Sequence, residues 1–250
     1  MKARILGLVA VGLLAGPMAA HAGYVAATWG DDSVHLLDDG LVSQGSFAVG
    51  QRNPNGIATD GATIWVGTFV DSTVRAFDFS GNLLYSWAGV SGLQGMELVN
   101  GQLALHDAAT TTIQYRNPLT GAPLGSIPGQ SSTEGLAYDG TYLWALVDAS
   151  IYALDPVTGA VMTTIANAAA GCSFDGTGIT SIGGGRLTLG CGNGNWYTVA
   201  SADGAVITSG NNGLDMFGLK YYSHVPEPGS LALLGLGLVG LGLGRRRRAN

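Results

Sequence analysis

An all-β fold of repeated four-stranded sheets is predicted by three features of this sequence. A glycine-led apolar segment recurs at intervals of 39, 40, 43 and 40 residues, beginning at Gly56, Gly95, Gly135, Gly178 and Gly218. Asp-Gly, Asn-Gly or Gly-Gly pairs follow the first four segments, and such pairs favour hairpin turns. Only 11% of the residues are charged and 41 of 250 are glycine, which disfavours long amphipathic helices. A period of about 40 residues with four short strands is typical of a β-propeller blade.

The copy that begins at Gly56 illustrates the strands of one predicted blade. Apolar or alternating segments separated by turn residues favour strands at 56–59, 63–68, 73–78 and 83–87. In the next two copies, the turn before the last strand reads Asn-Pro-Leu-Thr-Gly at 117–121 and Asp-Pro-Val-Thr-Gly at 155–159. Proline presets φ in such a turn and glycine accepts a positive φ, so the backbone conformation of the turn explains why these residue types occur there.

The two ends of the repeat region complement each other. Residues 28–38 align with residues 68–78, forty positions further on, but no inner strand precedes Tyr24. The last segment, Gly218–Tyr222, is an inner strand without the rest of its blade. We therefore predict that the C-terminal strand pairs with the N-terminal blade and completes it. This closure gives a five-bladed propeller over residues 23–224 and hides sheet edges.

The repeat units resemble those of NHL-type and related propellers over residues 24–224. Thr133-Glu134-Gly135-Leu136 also resembles a phrase of the five-bladed glutamine cyclotransferases. The tryptophan- and acid-bearing sites of those enzymes are not evident elsewhere in this chain. The resemblance therefore implies a fold and carries no activity across.

The N-terminus has the order of a secretory signal peptide. Lys2 and Arg4 precede an apolar stretch, Ile5–Ala15, and Ala20-His21-Ala22 supplies the small residues that a signal peptidase needs. An uncleaved anchor is the alternative, but about 11 apolar residues fall short of the ~20 that span a bilayer. We expect signal peptidase to remove residues 1–22.

The C-terminus, residues 225–250, has the order of a processed membrane anchor. A Pro-Glu-Pro triplet precedes a Gly/Leu-rich run, a basic cluster and the end of the chain. As a helix the apolar run would reach only about 24 Å, a marginal membrane span, and the basic cluster should stay cytoplasmic. The residues concerned are Val225, Pro226, Glu227 and Pro228 in the triplet region, and Arg245, Arg246, Arg247 and Arg248 in the cluster.

This order of triplet, apolar run and arginines resembles the PEP-CTERM sorting signal, whereas an ordinary tail anchor is the alternative. The resemblance implies recognition by an exosortase-type membrane enzyme and cleavage near the Pro-Glu-Pro triplet. It also implies a transient inner-membrane anchor formed by a C-terminal transmembrane helix, followed by transfer to the cell surface or extracellular matrix. The host would be a Gram-negative bacterium that makes exopolysaccharide.

The predicted propeller is acidic. Between residues 23 and 224, five basic side chains stand against sixteen acidic ones, a net charge of about −11 compared with −6 for the whole chain. Such a body should repel nucleic acid, whose binding needs clustered cations. The acidic loops at Asp31-Asp32, Asp71 and Asp107 match no calcium-loop pattern, and His35 and His106 lack the spacing of zinc ligands. We predict neither a metal nor a cofactor.

The residues immediately before the inner strands are the candidates for ligand contact. They are Asn55, Gln94, Glu134 and Thr177, with Asp215 as a possible further member. The repeat predicts that they form one polar ring at the mouth of the central channel. Such a ring contacts a ligand, or it only satisfies strand-end backbone groups and hydrates the channel.

Glu97 and Lys220 share one position of the repeat, two residues after the leading glycine. They are expected to flank the axis, either as an ion pair or as a general acid and base. Ion pairs in such places are more often structural than catalytic, so the sequence favours the ion pair.

Two functions are compatible with these features. The leading hypothesis is a non-enzymatic binding or structural propeller, displayed by the sorting tail and linked to exopolysaccharide, a matrix protein or biofilm. The alternative is an exported hydrolase, lyase or cyclase with Glu134 or Glu97 at the channel mouth. Two carboxylates that converge on a deep pocket would favour the enzyme, whereas a channel lined by small residues would favour the binding protein.

A disulfide between the only two cysteines, Cys172 and Cys191, is expected in an exported chain. It would close a loop within the fifth copy and stabilise it by about 3 kcal/mol in the chain-entropy model. Mass spectrometry of the exported protein under non-reducing conditions should find peptides of Cys172 and Cys191 linked. Two free thiols after export would contradict the prediction.

Overall fold

The computed structural model describes residues 21–168, 171–172 and 177–224. Residues 1–20 of the predicted signal peptide and the whole predicted tail, 225–250, lie outside this range. Every regular element within it is a strand. Among these described residues, there is no helix of the length and apolarity needed to cross a membrane.

Within the described residues, twenty strands follow one another. They are β1 (His21–Thr28), β2 (Ser33–Leu37), β3 (Ser43–Ala48), β4 (Pro54–Thr59), β5 (Thr63–Thr68), β6 (Thr73–Asp78), β7 (Leu83–Ala88), β8 (Leu93–Val99), β9 (Gln102–Asp107), β10 (Thr112–Arg116), β11 (Pro123–Pro128), β12 (Thr133–Tyr138), β13 (Leu143–Val147), β14 (Ser150–Leu154), β15 (Val161–Ile165), β16 (Thr177–Gly183), β17 (Arg186–Cys191), β18 (Asn195–Ala200), β19 (Val206–Asn211) and β20 (Met216–His224).

The strands form five four-stranded sheets, which we call blades I to V. Blades II to V take their strands in chain order, β4 to β7, β8 to β11, β12 to β15 and β16 to β19. Blade I has the order β20-β1-β2-β3 and so combines strands from both ends of the described range. The predicted all-β, five-bladed propeller is confirmed.

Strand positions in blade II agree closely with the sequence prediction. The second and third strands have the predicted bounds, and the outer strand extends one residue further, to Ala88. The inner strand starts at Pro54 instead of Gly56, because a register shift between these residues lets the pairing continue past the glycine. In blade II, the turn residues therefore predict the strand boundaries more accurately than the leading glycine does.

Apolar side chains fill the spaces between neighbouring blades. The cluster between blades II and III joins Trp65 and Val74 to Met96 and Leu103, all of them buried. Equivalent clusters lie between blades III and IV and between blades IV and V. Each blade is thus stabilised by burial against its neighbours, since the hydrophobic gain scales with the apolar area removed from water.

Cys172 and Cys191 form a disulfide, with 5.1 Å between their Cα atoms. Cys191 is the last residue of β17, and Cys172 precedes β16, so the bond lies within blade V. Both cysteines belong to the apolar cluster between blades IV and V. The bond therefore joins the connection before blade V to the interior of that blade.

At two of the leading glycines, the inner strands approach one another too closely for a side chain. A Cβ on Gly218 would lie 2.7 Å from the carbonyl oxygen of Asn55 on β4. A Cβ on Gly178 would collide with the backbone nitrogen of Leu219 on β20. Because backbone atoms cannot swing aside as a flexible side chain does, the repeat requires glycine here.

Replacing Gly178 with alanine should therefore destabilise the propeller. We expect a loss of about 1–3 kcal/mol, the usual range for added volume in a close-packed interior. A Cβ on Gly45, on the outer strand β3, would meet no atom within 4 Å, so Gly45→Ala is the matched control. Equal midpoints for the two variants in chemical denaturation would contradict the close approach at the axis.

Candidate functional site

Three of the predicted site residues line one cavity at the channel mouth. Asn55 on β4, Gln94 on β8 and Glu134 on β12 each precede the leading glycine of their inner strand, and all three contribute to its wall. The cavity has a volume of about 10 Å³. This is space for about one water molecule. Thr177 belongs to β16, but its side chain lies outside the described part of the chain.

The fifth position of the ring is occupied by an aromatic residue. Phe217, immediately before Gly218, lines the cavity, whereas Asp215, which the sequence suggested as a further member, does not. The Phe217 ring stacks on Trp29, with 4.0 Å between centroids and 5° between planes. The ring is thus polar only in part. Counting one residue back from the glycine would have identified Phe217.

The Asp215 carboxylate has a local role instead. It accepts a hydrogen bond from the backbone N–H of Gly30, in the loop between β1 and β2. Burial raises the pKa of Asp215, because the charged form loses hydration, although that hydrogen bond acts against the rise. Asp215 therefore fastens one loop of blade I to the start of β20.

Beneath the mouth, Lys220 and Glu97 form a buried ion pair. Lys220 Nζ lies 3.1 Å from Glu97 Oε2, and the two side chains are only 5% and 11% exposed. Lys220 also donates to the carbonyl oxygen of Leu136 on β12 and, at 2.8 Å, to that of Ile179 on β16. The three N–H donors of the ammonium are thereby all used.

Glu97 is equally well satisfied. Its two carboxylate oxygens accept hydrogen bonds from the backbone N–H groups of Leu98, at 2.7 Å, and Tyr138, at 3.2 Å. Burial raises the pKa of Glu97 and lowers the pKa of Lys220, while their attraction opposes both shifts. With these partners, the buried pair holds neighbouring inner strands together.

The acidic residues at the loops between second and third strands have local hydrogen-bond donors; Asp31 and Asp71 lie in these loops, whereas Asp107, predicted to lie in one, is the last residue of β9. Asp31 accepts from the hydroxyl of Thr28, and Asp71 accepts from the hydroxyl of Thr68 in the equivalent loop of blade II. Asp107 accepts from the backbone N–H of Ala109 at 3.0 Å. Within residues 21–168, 171–172 and 177–224, no three His, Cys, Asp or Glu side chains are grouped so as to hold a metal ion.

His35 and His106, which lack the spacing of zinc ligands, lie on different blades. His35 Nε2 is 2.9 Å from an Asp31 carboxylate oxygen, and its Nδ1 is 3.2 Å from the hydroxyl of Ser43. His106 on β9 is fully buried, and burial lowers its pKa, which favours the neutral imidazole. Neither residue faces the channel-mouth cavity.

The ring of blades defines the class of this protein as a five-bladed β-propeller. Residues 224–248 match the PEP-CTERM protein-sorting motif, as the tail predicted. The chain is therefore a propeller that carries a PEP-CTERM sorting motif. The motif implies export, transient membrane association and processing by an exosortase. It begins at His224, the last residue of β20.

A solved structure of low sequence identity shares the fold, and a second aligns with the chain less well. Glutaminyl cyclase from Myxococcus xanthus aligns over 76% of this chain and 82% of that protein, with a TM-score of 0.56 and 16% identity. A protein of unknown function from Bacteroides caccae aligns over 77% and 73%, with a TM-score of 0.48 and 11% identity. Likeness at such identities speaks to the fold alone. No curated protein sequence is significantly similar to this chain.

The Lys220–Glu97 pair gives a prediction for stability. Lys220→Met leaves a buried carboxylate without its cation and should cost about 3–5 kcal/mol. Glu97→Gln leaves a buried ammonium without its anion and puts an amide N–H₂ where both carboxylate oxygens now accept from backbone N–H groups, so it should cost a similar amount, about 3–5 kcal/mol. Urea denaturation of both variants and of the parent protein measures the two losses.

The pH dependence separates this loss from a simple loss of packing. In Lys220→Met the pKa of Glu97 is raised by burial and is no longer held down by the ammonium. A raised folded-state pKa means that the folded protein binds the proton more tightly, so the deficit should shrink as the pH falls from about 8 to about 5. A deficit that is constant across this range would contradict the assignment of charge.

Proposed function

We propose that this protein is an exported propeller that acts at the cell surface or in the extracellular matrix as a non-enzymatic binding or structural protein linked to exopolysaccharide. One observation carries the proposal: a sorting motif is joined to a propeller whose inner strands meet at the buried Lys220–Glu97 pair. The cavity that Lys220 helps to line measures about 10 Å³, against the ~300–1,000 Å³ of small-molecule sites. This difference favours binding through the outer surfaces over a reaction in the channel.

Processing of the tail follows from its sequence. Pro226 and Pro228 disfavour both a strand ladder and a helix interior, so residues 225–228 should be an extended stalk that a membrane enzyme can reach. Residues Arg245 to Arg248 would then stop translocation, because each guanidinium costs about 2.5–3.5 kcal/mol at the bilayer centre. The body would remain outside the inner membrane until cleavage releases it.

We also propose that β20 closes the ring and that cleavage beyond it leaves the propeller complete. The sheet order of blade I supports this, since β20 is the neighbour of β1. The close approach of Gly218 to Asn55 and of Gly178 to Leu219 supports a position of β20 between β4 and β16. Removal of the N-terminal segment after Ala22 would leave Gly23–Thr28 of β1 for the pairing.

The alternative function is an exported enzyme with a carboxylate at the mouth. The observation that favours it is the place of Glu134 in the wall of the cavity. A hydrolase, lyase or cyclase turnover by the purified chain that disappears in Glu134→Gln would replace the binding proposal.

Expression of four versions in a Gram-negative host that has an exosortase tests the proposal. The full chain should give a membrane-bound precursor and a shorter surface product, while replacement of the four arginines by serine should weaken retention and processing. A chain ending at His224 should be exported, soluble and folded, whereas one ending at Asp215, without β20, should be degraded. Immunoblots of cell fractions follow all four.

Two results would count against this reading. A full chain that is neither cleaved nor membrane-associated in such a host would remove the role of the tail. A chain ending at Asp215 that is as protease-resistant as the one ending at His224 would remove the closing role of β20.

A further inference from the structure

A groove of about 290 Å³ lies at the junction of blades III and IV, away from the channel. Asn100, Gln102, Tyr115, Gly125 and Ser126 line it from blade III, and Val157 lines it from the turn between β14 and β15 of blade IV. Gln102 and Val157 are exposed, so the groove is open to solvent. We call it the III/IV groove.

The groove exists because blade III lacks two large side chains that blade II has. Trp87 pairs with Val74 in blade II, as Ile127 pairs with Ile113 in blade III, and Tyr85 corresponds in the same way to Gly125. The Trp87 ring packs on the turn of blade III, where a Cβ on Gly121 would lie 2.5 Å from it. Ile127 and Gly125 at the same two positions of blade III are smaller than the two aromatic residues and leave part of that volume empty.

A different side chain holds the neighbouring turn in place at the III/IV junction. The Trp87 indole N–H donates to the carbonyl oxygen of Pro118 at 3.1 Å, whereas the Tyr115 hydroxyl donates to the equivalent oxygen of Pro156 at 2.6 Å. Burial raises the pKa of Tyr115 to about 12, so the phenol stays neutral and keeps donating. The turn is thus fastened from the third strand, and the outer strand is free to border a cavity.

The lining has the chemistry of a neutral, polyhydroxylated ligand. No charged side chain lines the groove, and the acidic body disfavours anions. Carboxamides such as those of Asn100 and Gln102 both donate and accept hydrogen bonds, as adjacent sugar hydroxyls require. Ile127 and Val157 supply an apolar surface, and within the described chain Gln102 and Ser126 have no side-chain hydrogen bond of their own.

We propose that the III/IV groove binds one neutral pyranose ring, either a free sugar or a residue within a glycan chain. The volume lies at the lower limit of small-ligand sites, which suits a single ring better than a longer segment. The inference rests on the proposed matrix function, because it names the ligand class that such a protein would hold. It does not involve the channel mouth.

A pair of glycine variants tests the groove. A Cβ on Gly125 meets no atom within 4 Å, so the phenyl ring of Gly125→Phe would fill the groove without a backbone clash. Gly45 holds the corresponding outer-strand position of blade I, pairs with Leu36 and is equally open, which makes Gly45→Phe the matched control. The full chain in mild detergent is presented with methyl glucoside, galactoside and mannoside, and binding is measured by saturation-transfer NMR.

We expect saturation transfer to at least one of the three neutral glycosides, a loss of affinity of at least about tenfold in Gly125→Phe, and none in Gly45→Phe. Gln102→Ala and Ser126→Ala should weaken binding several-fold, while Ser86→Ala, the equivalent change on blade II, should not. These smaller variants decide the outcome if Gly125→Phe fails to fold.

Methyl glucuronide should bind more weakly than its neutral counterpart. Electrophoresis in a gel that contains neutral polysaccharide distinguishes the two sources of the sugar. If the polysaccharide retards the parent chain but not Gly125→Phe, the bound pyranose belongs to a glycan chain. If the parent chain migrates normally, the ligand is a free sugar.

Three results would overturn the proposal: no transfer from any neutral glycoside, binding that Gly125→Phe leaves intact, or tighter binding of the glucuronide. Surface delivery is measured separately and should be unchanged in Gly125→Phe. A chain that binds the sugar but never reaches the surface would remove the proposed function and leave the groove assignment standing. A chain that reaches the surface without binding would do the reverse.

Discussion

The Lys220 ammonium is the group at which most of the inner strands come together. It lies on β20, pairs with Glu97 on β8, and donates to backbone carbonyls of β12 and β16, so one side chain joins four of the five inner strands. Desolvating two charges is expensive, and a pair of well-packed apolar residues would often be as stable. An apolar pair, however, would leave the carbonyl oxygens of Leu136 and Ile179 without this donor in a place that water barely enters. The Lys220 ammonium thus supplies hydrogen-bond donors to backbone carbonyl oxygens that come together at the axis.

Much of this architecture is determined by short local segments of sequence, and for that reason it could be predicted from the sequence. The glycine spacing follows from backbones that leave no room for a Cβ, and the hairpin pairs follow from turns that need a positive φ. The leading glycine recurs in all five copies and the hairpin pair in four of them, so the repeat is visible without any knowledge of packing. The order of the ring residues Asn55, Gln94 and Glu134 follows from the same spacing.

Features that depend on differences between the repeat copies could not be predicted from the sequence. Phe217 was not predicted because polar residue types were favoured at the mouth, although its position was correct for the ring. The III/IV groove arises where Gly125 replaces the counterpart of Tyr85, and this comparison requires the register of each outer strand, including its bulge. Leu136 and Ile179 meet Lys220 through main-chain atoms, which carry no signature in the residue type.

The place of β20 in blade I has a consequence for timing. In a chain that crosses the membrane N-terminus first, the inner strand of blade I is the last part of the body to arrive. Until then β1 has an unpaired edge, and the carboxylate of Glu97 lacks the cation that later reaches it. Blades II to V are able to form sheets as they emerge, because each takes its strands in chain order. If β20 closes the ring as proposed, the axis is completed only after translocation of the body has ended, because Lys220 is among the last residues of the body to arrive.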